Sequence, residues 1–182
     1  MPAIKLKYLP RYTIKDYNLW EGDWELIKGV PFAMAPSPVK KHQQIIGYIW
    51  NEMNKNLDCP KCEVTIDTDY IIDDETVLRP DVALVCNDES EKITKTPEIV
   101  AEVVSPSTIH KDLNLKFEIY EKEKVKYYII VFPNELIAKV YKLESNRYEK
   151  VGTFREEEVE FEIKCPLKIN FNNIFKSFKE KK

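Results

Sequence analysis

Long apolar runs are missing from this sequence. No segment approaches the roughly 18 consecutive apolar residues that a membrane-spanning helix requires. The opening stretch, MPAIKLKYLPRYTIKDY, is interrupted by charged residues and lacks the continuous apolar core of a signal peptide. We therefore expect a cytoplasmic protein that does not enter a membrane.

A strong excess of one charge sign is also missing. The formal net charge is −3, the isoelectric point is near 5.6, and acidic and basic residues are interspersed along the chain. This balance gives no overall attraction to nucleic acid, although an acidic protein can carry a local basic patch. The 182 residues, 43% hydrophobic and 32% charged, have the size and composition of a globular domain, so we expect one domain over residues 1–182.

A second closely spaced pair of cysteines is missing as well. Cys59 and Cys62 have the spacing of a metal-binding or redox pair, whereas Cys86 falls in a predicted strand and Cys165 stands alone. A closed zinc site normally needs four suitably placed ligands. We therefore expect reduced thiols, several of them buried, as is usual in a cytosolic chain. Metal binding by Cys59 and Cys62 stays open as the alternative.

The first third of the chain shows the pattern of a hairpin followed by a helix. A helical turn at residues 13–17 precedes two short strands within residues 24–34, which a tight turn at 28–31 joins. Ser37 and Pro38 suit the N-cap and the first turn of a helix. Apolar residues then recur at helical spacing, which predicts a helix over residues 39–57.

The remainder of the chain is predicted to be mostly strands around a second helix. This order favours an α/β or α+β domain in which helices cover a sheet. It divides into a lead-in and hairpin (1–36), a core (38–132) and a β-rich extension with a C-terminal tail (133–182). The predicted elements are strands at 63–72, 77–86 and 99–104, a helix at 109–124, strands at 126–132, 137–143, 148–154 and 159–163, and a helix that starts near 174.

Two carboxylates lie on neighbouring apolar segments. Glu102 projects from its predicted strand with Val100 and Val104, and an unpartnered carboxylate among apolar neighbours would be costly. Asp81 stands at the head of the preceding apolar segment. If the two strands are adjacent, both acids reach one divalent ion, and together with a backbone carbonyl and water they form a ligand set suited to magnesium or manganese.

Lys116 adds a cation to this pair. Helical spacing places it at the border of the apolar stripe that contains Leu113, Phe117 and Tyr120. Such a lysine either extends along apolar surface to water or points toward the sheet. In the second case its ammonium can orient an attacking water or steady charge on a phosphate. Two acids and a lysine in this arrangement suggest metal-assisted hydrolysis.

These residues stand in a pattern that resembles the Uma-two family of restriction endonucleases, members of the PD-(D/E)XK nuclease superfamily. The likeness extends over most of residues 12–143, and the combination is more specific than any single piece. The matching pieces are RPDV at 79–82, PEIVAEVVSPST at 97–108, Asp112, Lys116, Tyr120 and VKYY at 125–128, preceded by YTIKDY at 12–17, WELI at 24–27 with Gly29, and MAPS at 34–37 leading to His42.

The resemblance implies a restriction-endonuclease-like fold and a site. The fold would be a central mixed sheet flanked by helices, with an N-terminal hairpin and a C-terminal β extension. Asp81 and Glu102 would hold Mg²⁺ or Mn²⁺. Val104 occupies the position where the usual motif has lysine, so Lys116 on the following helix would serve in its place. Glu25 and His42 match recurrent family positions and would be auxiliary ligands or supporting groups, or alternatively a hairpin surface charge and a helix-start histidine.

Three departures from the family pattern affect loops around the site. Lys28 stands where the family commonly has aspartate, Lys124 where a glycine is common, and Phe132-Pro133 where an Asp-Pro follows the fourth strand. None of these removes Asp81, Glu102 or Lys116.

The leading hypothesis is therefore a metal-dependent endonuclease that hydrolyses phosphodiester bonds of nucleic acid, with DNA as the expected substrate and homodimerisation open. One alternative is a non-catalytic module that keeps the nuclease fold for binding nucleic acid or protein. Another is a structural dimer without a site, in which Lys116 points to solvent.

Overall fold

The computed structural model describes residues 10–34, 39–106 and 108–179. Its helices are α1 (Ile14–Tyr17), α2 (Lys40–Asn56), α3 (Phe117–Lys122), which a π-helical segment (Lys111–Lys116) precedes directly, and α4 (Phe171–Lys179). Its strands are β1 (Trp24–Ile27), β2 (Val30–Ala33), β3 (Cys62–Ile66), β4 (Tyr70–Asp73), β5 (Thr76–Leu78), β6 (Val82–Cys86), β7 (Ile99–Val103), β8 (Tyr127–Phe132), β9 (Ile137–Glu144), β10 (Arg147–Phe154), β11 (Glu158–Phe161) and β12 (Leu167–Asn170).

The centre of the fold is a six-stranded mixed sheet in the order β10-β9-β8-β7-β6-β3. Strands β7 and β8 are parallel, and the helical region between them in sequence makes the crossover that a parallel pair needs. The other neighbours in this sheet are antiparallel. A four-stranded sheet (β2-β1-β5-β4) and the pair β11-β12 complete the β structure of the described residues. The predicted mixed sheet flanked by helices is confirmed.

Each face of the central sheet buries its own apolar cluster. One cluster packs β6, β7 and β8 against α2, α4 and the β11-β12 pair, with Ile49 and Phe175 among its fully buried residues. The other packs the opposite side chains of these strands against α3 and the four-stranded sheet, with Tyr120 and Leu78 at its centre. Buried on both faces, β6 and β7 read as nearly continuous apolar runs.

The predicted hairpins are confirmed. Strands β1 and β2 pair across Lys28 and Gly29, and strands β9 and β10 pair across Ser145 and Asn146. Both turns place their two central residues at positive φ, as in the type I′ turns that are common in two-residue hairpin loops. The Ser37 and Pro38 predicted to open α2 lie outside the described residues.

Two long predicted strands are wrong, because each is broken near the site. The strand predicted at 63–72 splits into β3 and β4, which belong to different sheets, since Asp67 takes a positive φ of 51°. The strand predicted at 77–86 splits into β5 and β6 at Arg79 and Pro80, because proline has no N–H to donate to a ladder. Apolar residues continue to alternate across the first break, so the sequence pattern does not reveal it, whereas Arg79, Pro80 and Asp81 interrupt the apolar run at the second.

The C-terminal region contains more structure than predicted. The strand predicted at 159–163 is β11, the pairing strand β12 was not predicted, and α4 starts at Phe171 instead of near residue 174. Phe171 and Phe175 of α4 are fully buried against the central sheet. Across the described residues, none of the helices has the length and apolar character needed to cross a membrane.

The expectation of reduced thiols is wrong for this structure. Disulfides join Cys59 to Cys165 and Cys62 to Cys86. The second follows from sheet register, because Cys62 of β3 lies directly opposite Cys86 of β6. The first connects positions 106 residues apart in sequence, which no local pattern could indicate.

Candidate functional site

The pairing of β6 with β7 brings the two predicted acids to the same end of the sheet. Val82 is paired with Ala101, so one further step of the antiparallel register sets Asp81 opposite Glu102. Side chains at 81, 83 and 85 therefore share a face with those at 100 and 102. The break at Pro80 ends the β6 ladder at this point and leaves Asp81 beside the cavity described below.

Glu102 is held by a lysine and a tyrosine from the crossover helix. Its Oε1 accepts a hydrogen bond from the Lys116 ammonium at 2.7 Å and another from the Tyr120 hydroxyl at 2.9 Å. Both Glu102 and Lys116 are 3% exposed. The prediction that Lys116 faces the sheet is confirmed, and the alternative in which it points to solvent is wrong.

Glu25 of the N-terminal hairpin is a second partner of this lysine. Its Oε1 lies 2.8 Å from Lys116 Nζ and accepts the Arg79 N–H at 3.0 Å, while its Oε2 pairs with the Lys111 ammonium. Glu25 is fully buried, so the alternative of a hairpin surface charge is wrong. Burial alone would raise the pKa of Glu25, but Lys116 and Lys111 hold it below its ordinary value.

Asp81 is bound by the backbone of β7 and approached by α2. Its Oδ2 accepts the Val103 N–H at 2.6 Å and lies 3.8 Å from His42 Nε2. His42 Nε2 lies 2.6 Å from the Val103 carbonyl oxygen, which can only accept, so this nitrogen donates. His42 thus ties α2 to the end of β7 next to Asp81, and its predicted supporting position is consistent with this geometry.

Asp112 is a buried acid that sequence reasoning left without a role. It lies on the π-helical segment, is 2% exposed, and places Oδ1 4.0 Å from Lys116 Nζ. The Tyr128 hydroxyl donates to the Asp112 carbonyl oxygen at 3.0 Å, which anchors the segment to β8. The available signal was its position four residues before Lys116, which puts both on one side of a helix. Single-turn π segments are frequent at functional sites.

These groups border a cavity of about 410 Å³ at the end of the central sheet. Asp81, Glu102, Asp112 and Lys116 contribute to its wall, and His42 closes it on the α2 side. Arg79 also lines the cavity, but its guanidinium is engaged by Asp23 at 2.6 Å and by the Asp67 carbonyl at 2.9 Å. Asp67 and Arg79, which stand at the two strand breaks, therefore both line this cavity.

Carboxylates that are buried or nearly so outnumber the ammonium groups here. Asp81, Glu102, Asp112 and Glu25 face two ammonium groups, those of Lys116 and Lys111. With all of them ionised, two negative charges are left over, and burying uncompensated charge is costly.

The pKa values reflect this imbalance. Burial raises the pKa of Asp81 to about 6, against the opposing influence of His42 and the Val103 N–H. Burial also raises the pKa of Glu102 well above its ordinary value, and it raises the pKa of Asp112. The charge of Lys116 opposes both shifts. Burial alone would lower the pKa of Lys116, but Glu102, Glu25 and Asp112 raise it well above its usual range. Lys116 therefore stays charged, and the acids still outnumber the two ammonium groups beside them.

The donor set fits a divalent hard metal. Asp81 and Glu102 offer carboxylate oxygens, and Val103, which also lines the cavity, offers a main-chain carbonyl that His42 contacts; carboxylate and carbonyl oxygens are ligand types that magnesium and manganese prefer. Within the part of the chain that the structure describes, no three carboxylate or histidine ligands of this cavity lie within 4.8 Å of one another. The arrangement thus suits an ion with two side-chain ligands and several waters, which is common for magnesium.

Comparison with known families gives a match over most of the chain. Residues 14–164 match the Uma2 family, whose description is "Putative restriction endonuclease". The chain belongs to the Uma2 family. No curated protein matches the sequence significantly.

Solved structures support the fold of this Uma2 protein. The crystal structure of a "putative nuclease belonging to DUF820" from Anabaena variabilis superposes with a TM-score of 0.71 and covers 90% of this chain and 97% of its own. At 15% identity, this likeness shows that the two chains share a fold. The restriction-endonuclease-like architecture predicted from the sequence is confirmed.

Proposed function

We propose that this Uma2 protein is a divalent-metal-dependent endonuclease that hydrolyses phosphodiester bonds of nucleic acid, with DNA as the first substrate to test. The observation that carries the proposal is the excess of buried carboxylates over ammonium groups around one cavity. A divalent cation would supply the two missing positive charges. The family and the structural neighbour, itself described as a nuclease, support the same class of activity.

Asp81 and Glu102 would hold the Mg²⁺ or Mn²⁺ ion. Such an ion lowers the pKa of a bound water and neutralises charge on the phosphate that is attacked. Asp81 is already oriented by the Val103 N–H, so little reorganisation is needed for one of its oxygens to serve as a ligand. Glu102 has one oxygen in contact with Lys116 and Tyr120, which leaves its second oxygen for the ion.

Lys116 would act on the substrate side of the site. Its ammonium is fixed between Glu102 and Glu25, and it stays protonated because three carboxylates surround it. A fixed, desolvated cation can orient an attacking water and stabilise the negative charge that develops on the phosphate. Glu25 and Lys111 would position this lysine without contacting the substrate.

The test is cleavage of plasmid DNA, linear DNA and single-stranded RNA by the purified protein with magnesium, manganese, calcium or a chelator. We expect cleavage with magnesium or manganese and its loss in Asp81→Asn, Glu102→Gln and Lys116→Met. Glu118→Gln and Lys122→Met are the matched controls, because both residues lie on the exposed side of α3. Metal-dependent cleavage that survives in Asp81→Asn and Glu102→Gln would overturn the assignment of the site.

A non-catalytic nuclease-fold module is the second candidate. The observation that favours it is the direct Lys116–Glu102 ion pair, in which the two groups partly neutralise each other. Calorimetric titration with manganese separates the two functions. A folded protein that binds nucleic acid, but takes up no manganese and cleaves nothing, would favour the module.

A further inference from the structure

Away from the cavity, all four cysteines of the chain converge on one point. Cys59 and Cys62 flank the turn between α2 and β3, and the Cys62 N–H donates to the Cys59 carbonyl at 3.1 Å across it. Cys86 ends β6, and Cys165 lies in the loop between β11 and β12. Three separate parts of the sequence thus bring thiol-bearing residues together.

The two disulfides are in contact with each other. The sulfurs of Cys59 and Cys62, which belong to different disulfides, lie 3.4 Å apart. The sulfurs of Cys59, Cys62 and Cys165 all lie within 4.8 Å of one another, and Cys86 is bonded to Cys62. In a tetrahedral site with zinc–sulfur bonds of about 2.3 Å, neighbouring sulfurs are about 3.8 Å apart. The observed separation of 3.4 Å between Cys59 and Cys62 and the upper limit of 4.8 Å for the three sulfurs lie on either side of this spacing.

We propose that, in the reduced protein, these four cysteines form a Cys₄ zinc site. Four thiolates are a standard ligand set for structural zinc, and the spacing of Cys59 and Cys62 is that of one half of such a site. Soft thiolate ligands select zinc over magnesium or manganese. The site is therefore chemically distinct from the carboxylate cavity and does not depend on the proposed nuclease activity.

The two states are related by a balanced redox step. Two molecules of a dithiol reductant each break one disulfide, giving four cysteine thiols and two oxidised, disulfide-containing reductant molecules. Zn²⁺ then binds four thiolates and releases four protons. In a reducing compartment, closely placed cysteines are more often metal ligands than disulfides. Cys62 borders a surface cavity of about 280 Å³ lined also by Lys61 and Asn87, which gives reductant and metal a route to the cluster.

The site would fasten the C-terminal region to the central sheet. Cys165 belongs to the β11-β12 connection, and this pair packs with α4 on the same face of the sheet as α2. One metal ion would then join the turn after α2, the edge strand β3, its neighbour β6, and the C-terminal pair. A structural metal couples its binding free energy to folding, so its loss should loosen this region first.

The test starts from the full-length protein, reduced with a dithiol and separated from the reductant without oxygen. Titration with Co²⁺ should give the sulfur-to-cobalt charge-transfer and tetrahedral ligand-field bands of a tetrathiolate at one ion per chain. Zn²⁺ should displace the cobalt and protect all four thiols from alkylation, as counted by intact mass. Zinc loading should also raise the unfolding temperature of the reduced protein.

Variants separate this site from other zinc binding. Cys165→Ser and Cys86→Ser should each lose the tetrathiolate spectrum and fail to retain zinc against a chelator, whereas Glu102→Gln should retain both. Four freely alkylated thiols in the presence of zinc, or an unchanged cobalt spectrum in Cys165→Ser, would overturn the proposal. Should a cysteine variant fail to fold, the wild-type cobalt spectrum and the alkylation count decide by themselves.

Discussion

Glu52 and Glu102 are equally buried glutamates with opposite surroundings. Both are 3% exposed. Glu52 lies on α2 and accepts only amide donors at its buried side, from the Asn170 N–H at 3.2 Å and from the side chains of Asn56 and Asn173. Its nearest cation is Lys55 at 3.9 Å, which is 60% exposed. Glu102 instead faces a buried ammonium, a tyrosine and a cavity shared with other acids.

The difference separates a structural carboxylate from one that is available for chemistry. Glu52 connects α2 to β12 and α4 through neutral hydrogen-bond donors. Glu102 lies where acids exceed cations, so a bound cation would compensate the excess negative charge around it. Burial alone therefore does not indicate a site; the kind of partner and the local charge balance do.

The largest expected contrast is in activity. Glu102→Gln should reduce the rate of metal-dependent cleavage by about 10³-fold, because the loss of one principal electrostatic contact in an active site has effects of this order. Glu52→Gln should leave the rate per folded molecule unchanged. Single-turnover cleavage with manganese measures both. Equal losses in the two variants would remove the distinction.

Lys116→Met should have the largest effect on stability. It leaves Glu102 and Glu25 buried without their shared cation, and the removal of one partner of a buried ion pair costs about 3–5 kcal/mol. Urea unfolding of the metal-free protein measures the free-energy change. Lys122 is 77% exposed, so the unfolding free energy of Lys122→Met should lie within about 0.5 kcal/mol of the wild-type value. A similarly small change for Lys116→Met would show that the buried network is not formed.

Glu52→Gln should reduce stability by a smaller amount, about 1–3 kcal/mol. The N–H₂ group of glutamine would face groups that now donate hydrogen bonds to the Glu52 carboxylate. A buried donor without an acceptor carries a cost of this order. The same urea experiment measures it. No loss of stability in this variant would contradict a structural role for Glu52.

Asp81→Asn should make the metal-free protein more stable, by about 1–3 kcal/mol at neutral pH. The folded-state pKa of Asp81 is raised to about 6, so ionisation disfavours the fold. Above about pH 6 the carboxyl is ionised in both the folded and unfolded states and the full cost is present, whereas below about pH 4 it is protonated in both and the cost disappears. The increase in unfolding free energy of Asp81→Asn over wild type should therefore be complete above about pH 6 and vanish below about pH 4.

Unfolding curves at several pH values measure this gain. Asn can still accept the Val103 N–H, so the variant keeps that hydrogen bond. If Asp81→Asn were less stable than wild type at neutral pH, this would contradict the conclusion that negative charge is in excess around the cavity.

Short-range sequence patterns placed Asp81, Glu102 and Lys116 in their elements, but left open whether the two strands are adjacent and whether Lys116 points to the sheet. Alternation along a strand fixes the face of Glu102, and helical spacing brings Lys116 to the border of the buried stripe. The structure goes further than the pattern, since Lys116 is buried and bonded to Glu102.

Other parts of the site depend on contacts between distant residues. The position of Glu25 requires the hairpin to pack beside Arg79, 54 residues away, and a hairpin pattern does not specify its neighbour. The convergence of Cys165 with Cys59 likewise requires the C-terminal pair, half of which was not predicted. The break at Asp67 was missed because the alternation of apolar residues continues across it, whereas the break at Pro80 was missed although Arg79, Pro80 and Asp81 interrupt the apolar run.

Anomalous scattering from crystals grown with manganese would locate the proposed ion. We expect one manganese ion in the cavity, bound by a carboxylate oxygen of Asp81 and one of Glu102, with the Lys116 ammonium still beside Glu102. Crystals of Glu102→Gln should lose this peak. A wild-type structure at saturating manganese in which the peak is absent from these two residues, with the Lys116–Glu102 pair unchanged, would contradict it.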